Sequence, residues 1–276
     1  MRLLVLTSNA LRHKFVANTL ARHADDTLVV SECQPSDEDR RGAGLSPRLQ
    51  AHFRLRQETE QAWFTGHETF LSATLPILYR DVNLPSTCRV VEAFRPDLCV
   101  VFGASLIRLS LLSRLPAGRT VNLHLGLSPY ARGSGTNFWP FVDGELEYVG
   151  ATLLHLDEGV DTGPIIAHVR PGIRAGDTVH TAGCRVIAAS AEALRREVRL
   201  VRTGQRLPQV PQWPVTNGRY YRDADFTEEV LARYLRHLEQ EVVGRFLSRP
   251  ETPLRLISLP LEEAEIPERR LEVSPS

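Results

Sequence analysis

Residues 97–125 read DLCVVFGASLIRLSLLSRLPAGRTVNLHL, two apolar runs separated by the length of a crossover. The first, 97–103, is continuously apolar and ends on Gly103, the pattern of a central parallel strand buried on both faces. The segment LIRLSLLSRL after it is helix-like, and TVNLHL (120–125) reads as a further strand. The N-terminus repeats the plan: RLLVLT (2–7), a polar SNA turn, a helical LRHKFVANTLARH, then the strand TLVVSE (27–32). Strand–helix–strand units in series predict an α/β protein, Rossmann-like, with a mostly parallel twisted sheet and helices on both faces.

Outward from that core, 34–46 is polar and rich in Gly, Pro and Asp, which predicts an exposed loop. From 47 to 80, Arg, Gln and Glu mixed with Phe, Leu and Trp63 predict one long amphipathic helix or two shorter ones. A helix is expected around 134–143, and strands at 148–156 and 164–173. A long helix should start from a cap at Asp177. The proline-dense RLPQVPQWPV marks a crossing segment, followed by one main helix at about 226–247 and a frayed EEAEIPERRLEVSPS. The expected division is a catalytic domain at 1–205 and a small C-terminal extension at 206–276.

Composition narrows the function classes. The chain has 276 residues, 42% hydrophobic and 24% charged, with 33 basic and 33 acidic side chains and a formal net charge of zero. That balance argues against a broad electrostatic grip on nucleic acid. Lys14 is the only lysine. Cys33, Cys88, Cys99 and Cys184 are scattered without CxxC spacing, so they read as small buried hydrophobes and not as a disulfide frame or metal site. The first apolar run is too short for a signal-peptide core and no stretch reaches the ~20 apolar residues of a membrane span. A cytoplasmic protein without membrane contact is expected.

Three polar or glycine-bearing clusters fall beside strands, where open α/β sheets hold ligands. Asn122 and His124 alternate onto one face of their strand, about 7 Å apart. LDEGVDTGPI packs Asp157, Glu158 and Asp161 into a glycine-bearing loop. In VFGASLIRL, Gly103 permits close backbone approach while Leu106 and Ile107 supply apolar surface. An asparagine amide can donate to a developing oxyanion, an imidazole can hold or move a proton, and a carboxylate can orient that imidazole. No nucleophile elbow is present, so the nucleophile is expected on a substrate. Each residue also has a plain structural reading: a strand histidine bonded to backbone, a turn-forming Asp, a loop-capping Asn. His155 and His168 read as structural or surface residues, and His13 and Lys14 as a solvated helix face.

The combination VNLHLGLSPYARG at 121–133 with DEGVDTGPI from 157 resembles the formyltransferases that use 10-formyltetrahydrofolate. That family includes glycinamide ribonucleotide transformylases, methionyl-tRNA formyltransferases and nucleotide-sugar N-formyltransferases. The likeness covers roughly 97–200 and, more loosely, the first 30 residues. Gly126 and Leu127 depart from the family's usual Ser-Leu-Leu, while Ser128, Pro129, Arg132 and Gly133 keep the loop's character. The resemblance implies the formyltransferase fold, Asn122, His124 and Asp161 as catalytic residues, and 10-formyltetrahydrofolate as co-substrate without a metal. It implies a folate slot lined by Gly103, Leu106, Ile107, Leu156, Asp157, Glu158, Gly159 and Val160. Acceptor contacts would fall to Ser8, Asn9, Arg132 and Gly133.

The acceptor is less legible. TSNALRHKF keeps Ser8 and Asn9 of a Gly-Ser-Asn phosphate cradle but not its glycines, and the tail, shorter than the basic barrel of the tRNA-directed enzymes, is not expected to form a nucleic-acid surface. A small-molecule primary amine, an amino sugar or a specialised metabolite, fits best, with the 34–90 segment free to shape its pocket. A hydrolase releasing formate, a methionyl-tRNA or glycinamide ribonucleotide formyltransferase, a non-catalytic folate-binding protein and a homo-oligomeric state stay open as alternatives.

Overall fold

A computed structural model describes residues 1–36, 44–216 and 218–258. The chain runs β1 (Arg2–Ser8), α1 (Leu11–Ala21), β2 (Asp26–Cys33), α2 (Pro47–Phe64), β3 (Ala73–Leu78), α3 (Pro85–Phe94), β4 (Leu98–Phe102), α4 (Leu109–Leu112) and β5 (Thr120–His124). It continues through β6 (Ala131–Gly133), α5 (Trp139–Asp143), β7 (Ala151–His155), β8 (Ile165–Val169), α6 (Val179–Arg202), β9 (Arg219–Tyr221), α7 (Glu228–Glu239) and α8 (Val242–Leu247). Seven strands form one sheet in the order β3-β2-β1-β4-β5-β7-β8. Neighbours from β3 to β5 pair in parallel, and β5–β7 and β7–β8 pair antiparallel. β6 and β9 make a separate parallel ribbon.

Alternation along the strands builds two core layers. Leu3, Val5, Val100, Val121 and Leu123 face a large layer closed by α1, α2 and α6, to which Leu207, Leu231, Tyr234 and Val242 from beyond residue 205 also belong. Leu4, Leu6, Val30, Cys99 and Val101 face a smaller layer under α3 and α4. Asn122 pairs in register with Val101, so Asn122 and His124 lie on the side of the smaller layer. The chain leaves β1 toward β2 and β3 on one side and returns through β4 and β5 on the other, a topological switch at the carboxyl ends of β1 and β4.

Several local expectations need correction. Residues 73–78 are not helical: ATLPIL is an edge strand, and Pro76 is tolerated there because an edge leaves one side of the backbone unpaired. The helix expected over 106–115 shrinks to Leu109–Leu112, since the segment before it is tethered in an extended path described below. The helix around 134–143 begins only at Trp139. Thr178, not Asp177, caps α6; Asp177 instead accepts from Arg174 N and pairs with Arg185. The terminal helix divides into α7 and α8 at Glu241, whose φ is +54°. Cys33 is exposed, while Cys88, Cys99 and Cys184 are buried as free thiols. The 34–46 loop is described only in part and the 262–276 segment lies outside the described residues. Among the described residues no helix is long and apolar enough to cross a membrane.

Glu197 in α6 is fully buried and neither carboxylate oxygen has a hydrogen-bond partner among the described residues. Burial pushes its pKa up to about 7. An unfolded chain releases that proton near ~4.3, so between these values the folded state binds the extra proton and stability falls as pH rises. Glu197→Gln is therefore expected to raise Tm at pH 8 and leave it unchanged at pH 4, checked by thermal denaturation at both. An equal shift at the two pH values would contradict this reading.

Candidate active site

β5 carries Asn122 and His124 on one face, and the 156–163 loop brings Asp161 to both. This loop follows β7, which runs antiparallel to β5 and places its last residue beside Val121. Leu156 N donates to Thr120 O, fixing the loop's start at the beginning of β5, and the chain then folds back along the strand. Asn122 Nδ2 donates to Asp161 Oδ1 at 3.0 Å, and His124 Nδ1 lies 3.2 Å from Asp161 Oδ2. Gly133 N donates to Asp161 Oδ2 at 3.1 Å, tying β6 to the same carboxylate. Asp161 adopts φ +54°, a left-handed conformation rare outside glycine.

His124 is buried, and its Nε2 bonds Ala131 O at 3.0 Å. The ring thus stands between two acceptors and can donate to both only as the imidazolium. Gly126 leaves room for it: a Cβ there would fall 2.5 Å from His124 Nε2 and 2.6 Å from Thr136 Oγ1. The Asn122 amide spends one N–H on Asp161, which leaves the second for a ligand.

The 103–108 loop is organised by Glu32, which sequence reading missed. This buried carboxylate at the end of β2 accepts from Ser105 N (2.8 Å), Ser105 Oγ (2.9 Å), Arg80 N (3.0 Å) and Gln34 Nε2 (3.2 Å). Gln34 Nε2 also donates to Gly103 O, and Asn83 bonds Leu106 O and Arg108 N. These tethers hold 103–108 extended, the reason a helix does not start at Leu106. Ile107 is buried in the smaller core layer, whereas Leu106 is 56% exposed.

In the 156–163 loop, Asp157 accepts from Gly159 N and Thr162 Oγ1, an internal lock on the turn. Leu156 is half-buried, Glu158 and Gly159 are exposed, and Val160 is 40% exposed. Two loops thus each present an apolar side chain to solvent, Leu106 and Val160, surface that a flat apolar ring system could cover.

The first strand–helix turn differs from expectation. Ser8 is buried and its hydroxyl bonds His13 Nδ1 at 2.5 Å, while Asn9 is exposed and accepts from Gln34 N. His13 is not on a solvated face: it is buried, edge-on to Phe102 at 4.5 Å, and fills the notch above Gly103 (φ +75°), where a Cβ would fall 2.2 Å from its ring. Burial first, then the Arg12 and Arg56 charges, hold its pKa well below the usual histidine range. Lys14 donates to Glu68 O. His155 and His168 are buried and bonded to the carbonyls of Pro208 and Ser128. Among the described residues no group of three or more His, Cys, Asp or Glu side chains is arranged to hold a metal ion.

On the other flank, Arg132 in β6 donates through Nη2 to Gln212 Oε1 at 2.8 Å, and its Nε is buried without a partner among the described residues. Gln212, from the proline-dense crossing segment, was not singled out in the sequence. Its only advance signal is its place in that stiff run.

A methionyl-tRNA formyltransferase from Anaeromyxobacter dehalogenans is 31% identical over 186 residues, 67% of this chain and 54% of that protein. The chain thus spans about half the length of the curated relatives it matches. Among solved structures, a sugar N-formyltransferase from a Shewanella species superposes with a TM-score of 0.54 at 18% identity, covering 86% of this chain and 88% of that one. Glycinamide ribonucleotide transformylase 1 from Symbiobacterium toebii gives a TM-score of 0.53 at 21% identity, over 76% and 94% of the two chains. Those likenesses share the fold. The family model described as formyl transferase matches residues 54–198, a span that contains Asn122, His124 and Asp161, and the chain belongs to the formyl transferase family.

Proposed function

We propose that this protein transfers a formyl group from 10-formyltetrahydrofolate to the primary amine of a small-molecule acceptor. The observation that carries this reading is the convergence of Asn122 and His124 on the carboxylate of Asp161, 39 residues beyond Asn122 in the chain. The exposed Leu106 and Val160 side chains suit the folate ring system, and the donor supplies an activated formyl carbon. The chain's own groups do the rest. The free N–H of Asn122 donates to the formyl oxygen as negative charge grows there. An imidazolium at His124, held between Asp161 and Ala131 O, stabilises the same charge. Asp161 orients both side chains and, directly or through water, helps pass the amine proton to the departing nitrogen. Gly103, Ile107, Leu156, Asp157, Glu158 and Gly159 are assigned to the donor slot and Asn9, Arg132 and Gly133 to acceptor contacts, while Ser8, buried against His13, supports the turn that presents Asn9.

An amino sugar or a specialised metabolite is the favoured acceptor, because zero net charge does not suit a nucleic-acid partner. The identity with methionyl-tRNA formyltransferases supports a second reading, methionyl-tRNA as acceptor. A panel of amines that includes amino sugars, glycinamide ribonucleotide and methionyl-tRNA, incubated with 10-formyltetrahydrofolate, separates them. Tetrahydrofolate release dependent on a small amine is expected. Release dependent only on methionyl-tRNA selects the second reading, and formate without an N-formyl product rejects both.

Gly126→Ala is expected to lower kcat tenfold or more, since the new methyl group displaces the His124 ring. Steady-state kinetics checks it; a kcat within twofold of wild type contradicts the placement of that ring.

A further inference from the structure

The proline-dense segment after α6 reaches the backbone of the loop that carries Asp161. Leu207 is buried, His155 Nε2 bonds Pro208 O at 2.9 Å, and Val210 makes a two-way backbone bridge with Ile165 at 2.7 and 2.9 Å. Pro208, Pro211 and Pro214 restrict the backbone between these anchors. Gln212 is therefore delivered to a set place. Its Nε2 donates to Asp161 O at 2.8 Å and to Gly163 O at 2.9 Å, while its Oε1 accepts from Arg132 Nη2 at 2.8 Å.

We propose that Gln212 is a positioning residue that holds Asp161 in its working conformation and couples it to Arg132 on the acceptor flank. Asp161 occupies a left-handed φ of +54°, which a non-glycine residue keeps only when its surroundings enforce it. Gln212 clamps the backbone carbonyls on both sides of Thr162, so the turn cannot relax without losing two hydrogen bonds. The amide works in one orientation only: both N–H donors are committed to carbonyls and its oxygen to the guanidinium. A glutamate there keeps the acceptor for Arg132 but loses both donors and sets a carboxylate against two carbonyl oxygens. The segment beyond residue 205 thereby completes the geometry of a carboxylate that belongs to the 156–163 loop.

This inference rests on the proposed role of Asp161, so its test includes a readout that does not depend on turnover. Gln212→Glu and Gln212→Leu are compared with wild type in the whole 276-residue chain by kinetics, thermal denaturation and the 15N resonances of the His124 ring. Expected are a 10- to 100-fold loss of kcat, KM for the formyl donor within threefold, and changed 15N resonances of the His124 ring. In an Asp161→Asn background, Gln212→Leu is expected to cost less than twofold more, because its effect runs through Asp161. Unchanged His124 resonances, or full additivity in the double variant, would overturn the proposal. A wild-type protein without transferase activity but with the His124 ring resonances changed in both variants would sink the functional reading while supporting the positioning one. Should Gln212→Glu fail to fold, Gln212→Leu, which adds no charge, carries the same comparison.

Discussion

Replacing His124 by alanine is expected to lower kcat for formyl transfer by about 10²–10⁴-fold, the usual weight of a positioned acid–base group. The ring is buried and sits between Asp161 Oδ2 and Ala131 O, so its loss removes the ring nitrogen nearest the carboxylate. KM for the formyl donor should move far less, because the expected donor slot is built by the 103–108 and 156–163 loops, which Glu32, Asn83 and Asp157 tether independently. A raised KM with unchanged kcat would assign His124 to binding and not to the reacting atoms.

Asn122→Ala should be nearly as severe. Removing a single oxyanion donor typically costs about 2.7–4 kcal/mol of transition-state stabilisation, or 10²–10³ in kcat. It also frees Asp161 Oδ1 from its neutral partner. Because both residues lean on one carboxylate, the double variant Asn122→Ala/His124→Ala is expected to be far less impaired than the product of the single losses. Multiplicative losses would mean that the two side chains act separately.

Much of this site was legible in the sequence because period-two alternation is a strong rule. It puts Asn122 and His124 on one face, and the continuous apolar run 98–102 announces a strand buried on both sides. The parallel core and its carboxyl-end cluster followed. Asp161 could be suspected from its loop, but the backward path of that loop depends on β7 running antiparallel, which no local pattern encodes. The edge strand 73–78 was lost because Pro76 and half-exposed positions blur alternation. The failed helix at 106–115 has a tertiary cause: Glu32 and Asn83 pull the backbone of 105–108 straight against its local preference.

Residues that act through distant backbone groups were the least visible. Glu32 reaches Ser105 across 73 positions, and Gln212 reaches Asp161 across 51. Nothing in a glutamate inside a strand, or a glutamine between prolines, says which carbonyl or amide will meet it. His13 misled for a related reason: its helix shows no clear apolar stripe, and only the close approach to Gly103 reveals that the ring is interior.

The most direct test of the account follows the label from 10-formyltetrahydrofolate carrying a 13C formyl group through a single turnover with the best amine of the panel. The account predicts label in an N-formyl product, one tetrahydrofolate per product, with both lost together in Asn122→Ala and His124→Ala. Label appearing as formate, or in product at the wild-type rate in both variants, would contradict it.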